Sequence, residues 1–237
     1  MPVIVFATPK GGAGKTTSAL LLASELAARG ATVAIIDADP DKWISQWGAL
    51  PGRPANVTIT SDVTEDSIVD LIEAAAAEAQ FVVVDLEGTA SLMVANAIGM
   101  SDLVIIPTQG ASMDAKGAAK TIRLIRNQAR MVRREIAHAV LLTRTSAAVA
   151  SRSLRNVRDQ LDQAGIPVFE TPIVERAAYR DILDYGGLLE NLDRTQVSNL
   201  DKARENARQF AEEIMSLVPL KVAKPKTAKP KVAKATK

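Results

Sequence analysis

Val3-Ile4-Val5-Phe6-Ala7-Thr8-Pro9-Lys10-Gly11-Gly12-Ala13-Gly14-Lys15-Thr16-Thr17 decides the fold of this 237-residue chain. Five consecutive apolar residues read as a buried strand, and an Ala/Leu-rich helical pattern over 15–29 follows the glycines. A strand, a glycine-rich turn and a helix in that order present inward-pointing backbone N–H groups, a helix amino terminus and a lysine to an anion. Gly11, Gly12, Ala13, Gly14, Lys15, Thr16 and Thr17 are therefore the candidate phosphate-binding residues. Lys15 is placed to reach the β- and γ-phosphates, and the Thr16 hydroxyl to ligate Mg²⁺. The general form of this loop has a glycine five positions before Gly14, where this chain has Pro9.

Working outward, apolar runs recur at Val33–Asp37, Phe81–Asp85, Leu103–Pro107 and Ala139–Thr143. Helical patterns over 65–79, 116–134 and 152–164 separate most of them. This alternation predicts a doubly wound, mostly parallel sheet flanked by helices, an α/β fold with ligands beyond the carboxyl ends of the strands. A last amphipathic helix over 198–218 closes the domain, with Leu200, Ala203, Ala207, Phe210, Ile214 and Leu217 on one face. The expected organisation is one domain over 1–218 and a Lys/Pro/Ala-rich tail over 219–237 that cannot bury enough apolar area to order itself.

Composition narrows the class. Aromatics make up 3% of the chain, so the core is built from Ala, Val, Ile and Leu, as in a parallel sheet. The absence of cysteine excludes disulfides, thiolate zinc sites and iron–sulfur clusters. No leader is expected at the amino terminus, nor any membrane span, since no apolar stretch reaches the roughly 18–20 residues one requires. A cytoplasmic protein is the expectation. The net charge of +2 averages two unlike parts: 221–237 carries seven lysines and no acid, which leaves the body at −5.

The box Lys10-Gly11-Gly12-Ala13-Gly14-Lys15-Thr16-Thr17 resembles the deviant Walker A motif of the ParA/MinD family of P-loop ATPases, the similarity covering roughly 1–217. The resemblance implies ATP and Mg²⁺ as cofactors, a homodimer closed around nucleotide, and a Lys10 that crosses to the partner's phosphates. Asp37-Ala38-Asp39-Pro40 is similar to the family's second box. By that match Asp37 lies near Thr16 and the magnesium shell, and Asp39 orients the attacking water; a helix cap is the other reading of such a pair. Phe81–Asp85 resembles the Walker B strand, with Asp85 holding magnesium through water, but Leu86-Glu87 stands where relatives have Thr and Pro. Lys10, Lys15 and Asp39 are thus the candidate catalytic residues, and Thr16, Asp37 and Asp85 the candidate metal ligands. Ser101–Gln109 also resembles a family strand and its loop. Thr143 and Arg144 stand where the family places adenine contacts, and the 169–173 segment, with Pro172, resembles its base-lining loop.

Arg123, Arg126, Arg130, Arg133 and Arg134 recur at helical spacing with no acid between Asp114 and Glu135, and Arg152, Arg155 and Arg158 repeat the pattern. A solvated helix face explains such stripes, and so does DNA binding, which the resemblance implies for ATP dimers. Lys224, Lys226, Lys229 and Lys231 in the tail have no aromatic residue for base stacking and suit sequence-independent phosphate contacts. Seven such contacts would give a salt slope of roughly −6. His138, the one histidine, has no metal-binding company, and the Trp43/Trp47 pair reads as packing. Tyr179 and Tyr185 form no tyrosine-rich cluster.

The leading expectation is a nucleoid-associated, ParA-like ATPase that positions plasmid, chromosome or protein cargo through a ParB-like adaptor, with slow, partner-stimulated hydrolysis. Because the chain starts at its first strand, no amino-terminal helix-turn-helix is expected. A VirC-type conjugation factor is a close variant. A MinD-like membrane switch would want large apolar residues that the tail lacks, and a dethiobiotin synthetase-like ligase shares the fold but needs no lysine tail. A nitrogenase-reductase type would need cysteines.

Overall fold

The computed structural model describes residues 1–88, 91–110, 112–146 and 152–218. The tail lysines Lys224, Lys226, Lys229 and Lys231, and the expected boundary at 219, lie outside the described residues. Six strands, β1 (Val3–Phe6), β2 (Val33–Ala38), β3 (Val57–Thr60), β4 (Phe81–Leu86), β5 (Leu103–Thr108) and β6 (Ala137–Leu142), form one sheet in the order β3-β2-β4-β1-β5-β6. Every pairing is parallel. Helices α1 (Lys15–Ala28), α2 (Trp43–Ala49), α3 (Ile68–Glu78), α4 (Leu92–Met100), α5 (Ser112–Val132), α6 (Arg152–Gln163), α7 (Ala177–Tyr185) and α8 (Leu200–Leu217) cover its two faces.

Alternation along each strand sorts the core into two layers. Ile4, Phe6, Val33, Ile35, Phe81, Val83, Leu103 and Ile105 pack with residues of α1, α7 and α8. Val3, Val5, Ile36, Val82, Val84, Val104 and Ile106 pack with residues of α3, α4, α5 and α6. The parity of the register carries over to the polar residues at the strand ends. Asp37 and Asp85 continue the Ile35 and Val83 series, so both carboxylates face the layer that holds α1, and the two are register partners on β2 and β4. The sheet thereby delivers two acids to the helix that starts at the phosphate loop.

The doubly wound sheet is as expected, with shifts at several ends. The α5 helix starts at Ser112, four residues before the expected Lys116, and α3 starts at Ile68 instead of Glu65. Sequence periodicity did not point to β3, α4 or α7. β3 is a four-residue edge strand with only Val57 buried, too short to show a period. α4 is apolar on nearly every face and therefore carries no stripe. Segment 168–174 runs beside β6 through parallel bridges at Val140–Val168 and Thr145–Val174, which brings the residues after Phe169 to the carboxyl end of the sheet. Phe169 packs edge-on against Phe210 at 6.1 Å, fixing that segment to α8.

Candidate nucleotide site

The loop from Pro9 to Gly14 leaves β1 and turns into α1, whose first residue is Lys15. Two positions in it need a left-handed backbone, and both are glycine: Gly12 at φ 72° and Gly14 at φ 92°. Pro9 is not among the positive-φ residues, so this position does not require the glycine of the general pattern. Gly14 also lies against Thr143, where an added Cβ would sit 3.4 Å from the Thr143 Cβ. The Thr143 hydroxyl donates to the Ala13 carbonyl at 2.7 Å, tying the loop to the end of β6.

Lys15 is buried, and its Nζ lies near Gly88, which follows β4 by two residues; a Cβ at Gly88 would sit 3.7 Å from that nitrogen and 3.6 Å from the Gly11 amide. Lys10 Nζ donates to Gln109 Oε1 at 3.3 Å, while Gln109 Nε2 donates to the Gly12 carbonyl at 2.8 Å.

Asp37 and Asp85 are both fully buried. One Asp37 oxygen accepts from the Ser45 amide at 2.8 Å and from the Ser45 hydroxyl; the other has no partner, and neither does either oxygen of Asp85. Burial pushes the Asp85 carboxyl up to about 7; the nearby Thr16 hydroxyl and Lys15 cation pull it down without satisfying its oxygens, and Asp37 and Asp39 push it up again. Three orphaned carboxylate oxygens beside a lysine and a threonine hydroxyl fit a divalent cation. Among the described residues no group of three or more His, Cys, Asp or Glu side chains can hold a metal. Two carboxylates and a hydroxyl are hard oxygen donors of the kind Mg²⁺ takes, with phosphate oxygens and water able to complete its shell.

A cleft of about 720 Å³ opens over these groups, lined by Gly11, Gly12, Gly14, Lys15, Thr16 and Thr17 on one side. Asp39, Trp43, Glu87, Arg144, Arg180 and Asp184 are among the residues that face them. Asp39 is half-buried, with one oxygen accepting from the Asp41 amide at 3.0 Å. A smaller cavity of about 60 Å³ continues from Gly14 and Thr17 past Thr143 and Arg144 to Ile173, Arg176 and Tyr179. Arg144 adopts a left-handed backbone, φ 52°. Pro172 is not brought to this cleft. Its carbonyl accepts from Asn206 Nδ2 at 2.8 Å, and it lines a separate depression against α8. Ile173, Glu175 and Arg176 occupy the position the sequence suggested for Pro172.

Arg180, Leu183 and Asp184 of α7, together with Arg176 before it, went unmarked in the sequence, since α7 carries no motif. The two tryptophans part company: Trp47 is buried and donates Nε1 to the Gly187 carbonyl at 3.0 Å, whereas Trp43 is 51% exposed at the cleft rim. His138 is half-buried, with Nδ1 3.0 Å from the Ile136 carbonyl.

Arg123, Arg126 and Arg130 are exposed on α5 and Arg152 and Arg155 on α6, two helices that pack together. The first three form no ion pair among the described residues. Arg134 is committed elsewhere, donating to the Gly99 and Ser101 carbonyls at 2.8 and 2.7 Å and so closing the end of α4, and Arg158 pairs with Glu170 at 2.8 Å.

A parallel sheet in this strand order, a glycine loop opening α1 and two acids at the adjoining strand ends define a P-loop nucleotide-binding protein. The chain belongs to the VirC1 protein family, whose model matches residues 1–222, and with it to the ParA/MinD-type P-loop ATPases. It is 41% identical to Protein ParA of Rhizobium radiobacter over 214 residues, 90% of this chain and 96% of that one. It is 29% identical to Protein virC1 of Rhizobium rhizogenes over 226 residues, 93% of this chain and 97% of that one. An ATP complex of a McdA variant from Cyanothece superposes with a TM-score of 0.70 at 16% identity, covering 91% of this chain and 96% of the other.

Proposed function

We propose that the chain is a MgATP-dependent dimer switch that binds DNA without sequence preference and positions a DNA or protein cargo. The observation that carries this reading is the register-paired Asp37 and Asp85, with three buried oxygens lacking partners beside Lys15 and Thr16. An arrangement so costly without a cation is one that the cation completes.

In this reading the amides of Gly11 to Thr17 hold the phosphates at the start of α1 and Lys15 neutralises the β- and γ-phosphates. Thr16, Asp37 and Asp85 would hold Mg²⁺, the aspartates through water, and the bound cation would supply charge neutralisation for the phosphate oxygens. Asp39 accepts a hydrogen bond from the attacking water and so orients it. Lys10 of each subunit reaches the phosphates bound by the other, which makes the dimer sensitive to the γ-phosphate. Thr143 and Arg144, with Ile173 beside them, border the base. Arg123, Arg126, Arg130, Arg152 and Arg155 contact DNA phosphates together with Lys224, Lys226, Lys229 and Lys231, and an adaptor of the ParB type stimulates a slow hydrolysis.

The test is ATP turnover and DNA binding by the full chain and by a deletion of 221–237, each with ATP and with ADP. ATP-dependent DNA binding supports the reading. DNA-indifferent behaviour combined with turnover of a small carboxylic acid would sink it. The VirC1 family match favours a second version, in which the cargo is a DNA-processing complex for conjugation. Loss of the protein then lowers DNA transfer to recipient cells, whereas in the partition version it raises plasmid loss at division.

A further inference from the structure

We propose that Ser45 is a positioning residue that fixes the Asp37 carboxylate so that its unpartnered oxygen serves the Mg²⁺ site. The inference rests on the metal-binding role of Asp37 proposed above. Asp37 divides its two oxygens between different tasks. One accepts from both the amide, at 2.8 Å, and the hydroxyl of Ser45, and the other is buried without a partner. Two donors converging on one oxygen from a single residue hold the plane of the carboxylate more firmly than one bond does. The free oxygen is then left for the cluster around Asp85, the register partner of Asp37, which has Thr16 and Lys15 as close neighbours.

The backbone after β2 brings Ser45 to this place. The chain turns back at once: the Lys42 amide donates to the Asp39 carbonyl at 3.1 Å, and Lys42 takes a left-handed conformation, φ 53°. Lys42 Nζ donates to the Asp37 carbonyl at 3.0 Å, so residues 42–45 hold both the main chain and the side chain of Asp37. Ser45 is the third residue of α2, where a backbone amide has no acceptor within its own helix, and the carboxylate satisfies it. Capping of α2 accounts for that amide bond alone. The hydroxyl adds a second donor that the cap does not require. The helix that offers it is anchored on its other side, with Ile44 and Trp47 buried and Trp47 Nε1 donating to the Gly187 carbonyl at 3.0 Å. A hydroxyl on so well held a helix can set the angle of a metal-ligating carboxylate, as the outer partners of metal ligands do.

The experiment measures ADP affinity of the full chain by calorimetry as Mg²⁺ is raised, so that no turnover intervenes. Ser45→Ala, Ser45→Cys and Ser45→Thr all keep the amide bond and differ in the hydroxyl. Ser45→Ala and Ser45→Cys should raise the Mg²⁺ concentration for half-maximal tightening about tenfold, while Ser45→Thr stays within about threefold of wild type. ADP affinity in EDTA should be the same for wild type and all the variants, which confirms that the phosphate loop is intact. In an Asp37→Ala background, Ser45→Ala should add no further shift. A wild-type Mg²⁺ midpoint in Ser45→Ala and Ser45→Cys would overturn the proposal and leave the hydroxyl as a brace for α2. A shift that persists without Asp37 would overturn it as well. Should Ser45→Ala fail to fold, the nearly isosteric Ser45→Cys decides. If Asp37→Ala itself leaves the Mg²⁺ midpoint unchanged, the metal-binding role of Asp37 fails and the positioning role with it. If Asp37→Ala shifts the midpoint while the Ser45 variants match wild type, only the positioning role is refuted.

Discussion

Asp85→Asn should make the metal-free protein more stable while removing its Mg²⁺-dependent chemistry. In the fold the carboxyl sits at about 7 instead of the usual 3.8, chiefly because it is buried, and neither oxygen has a partner. A raised carboxyl binds its proton more tightly in the folded than in the unfolded chain. Stability is therefore lost as pH rises from about 3.8 towards 7, and the full penalty is present above that. At pH 8 the difference amounts to about 4 kcal/mol. The asparagine removes the charge but leaves a buried amide to satisfy, which costs about 1–2 kcal/mol. The net expectation is a gain of about 2 kcal/mol at pH 8 and almost none at pH 5. Urea denaturation in EDTA at both pH values reads it directly. MgATP at a hundredfold excess over its Kd should then stabilise wild type by about 2.7 kcal/mol and the variant by clearly less. Turnover should fall on the order of a hundredfold. A variant less stable than wild type at pH 8 in EDTA would refute the view that this acid is held against its solvation. Equal stabilisation of both by MgATP would remove Asp85 from the metal shell.

Glu25, 6% exposed on α1, is also pushed up, from 4.5 to about 7, first by burial and then by Glu190, against the pull of Arg29 and Arg208. Between those pH values the folded chain binds the extra proton, so stability falls as pH rises. After allowing for screening, Glu25→Gln should gain about 1–2 kcal/mol on wild type from pH 5 to pH 8 in denaturant titrations. Gly14→Ala forces an L-residue to φ 92° against Thr143 and should cost about 1–2 kcal/mol in unfolding experiments. Nucleotide affinity, followed by the thermal shift on adding MgATP, should fall more than tenfold. Arg126→Ala should reduce the salt slope of DNA binding by about 0.9 with little effect on stability. Arg134→Ala should do the opposite, costing about 1–2 kcal/mol through the freed Gly99 and Ser101 carbonyls and leaving the slope unchanged.

Much of the site is legible before folding because phosphate binding is a local affair. The Lys10–Thr17 turn needs particular φ values and a helix directly after it, and both are written in neighbouring residues. The strands that carry Asp37 and Asp85 are equally plain, since buried parallel strands are runs of Val, Ile and Leu. The missed parts are those whose role depends on distant partners. The α7 helix shows no motif, yet Arg180 and Asp184 reach the cleft because Trp47 of α2 binds the Gly187 carbonyl just beyond α7. Five arginines look alike at helical spacing, and only the proximity of α4 to the end of α5 separates Arg134 from the rest. Pro172 and Ile173 are adjacent in sequence, but the bridge from Thr145 to Val174 and the hold of Asn206 on Pro172 turn one toward α8 and the other toward the cavity beside Thr143 and Arg144.

By itself, then, the sequence determined the chemistry on offer: an anion cradle, a cation beside it, and acids at the ends of two strands. Those are properties of short segments, set by backbone conformation and residue type. Only the tertiary structure decided that Asp37 and Asp85 face the same side in register, that three of their oxygens lack partners, and that Lys10 meets Gln109 across the loop after β5. These facts depend on which strands are neighbours and on the parity with which they pair. A sequence written in one dimension does not carry that information until the sheet has formed.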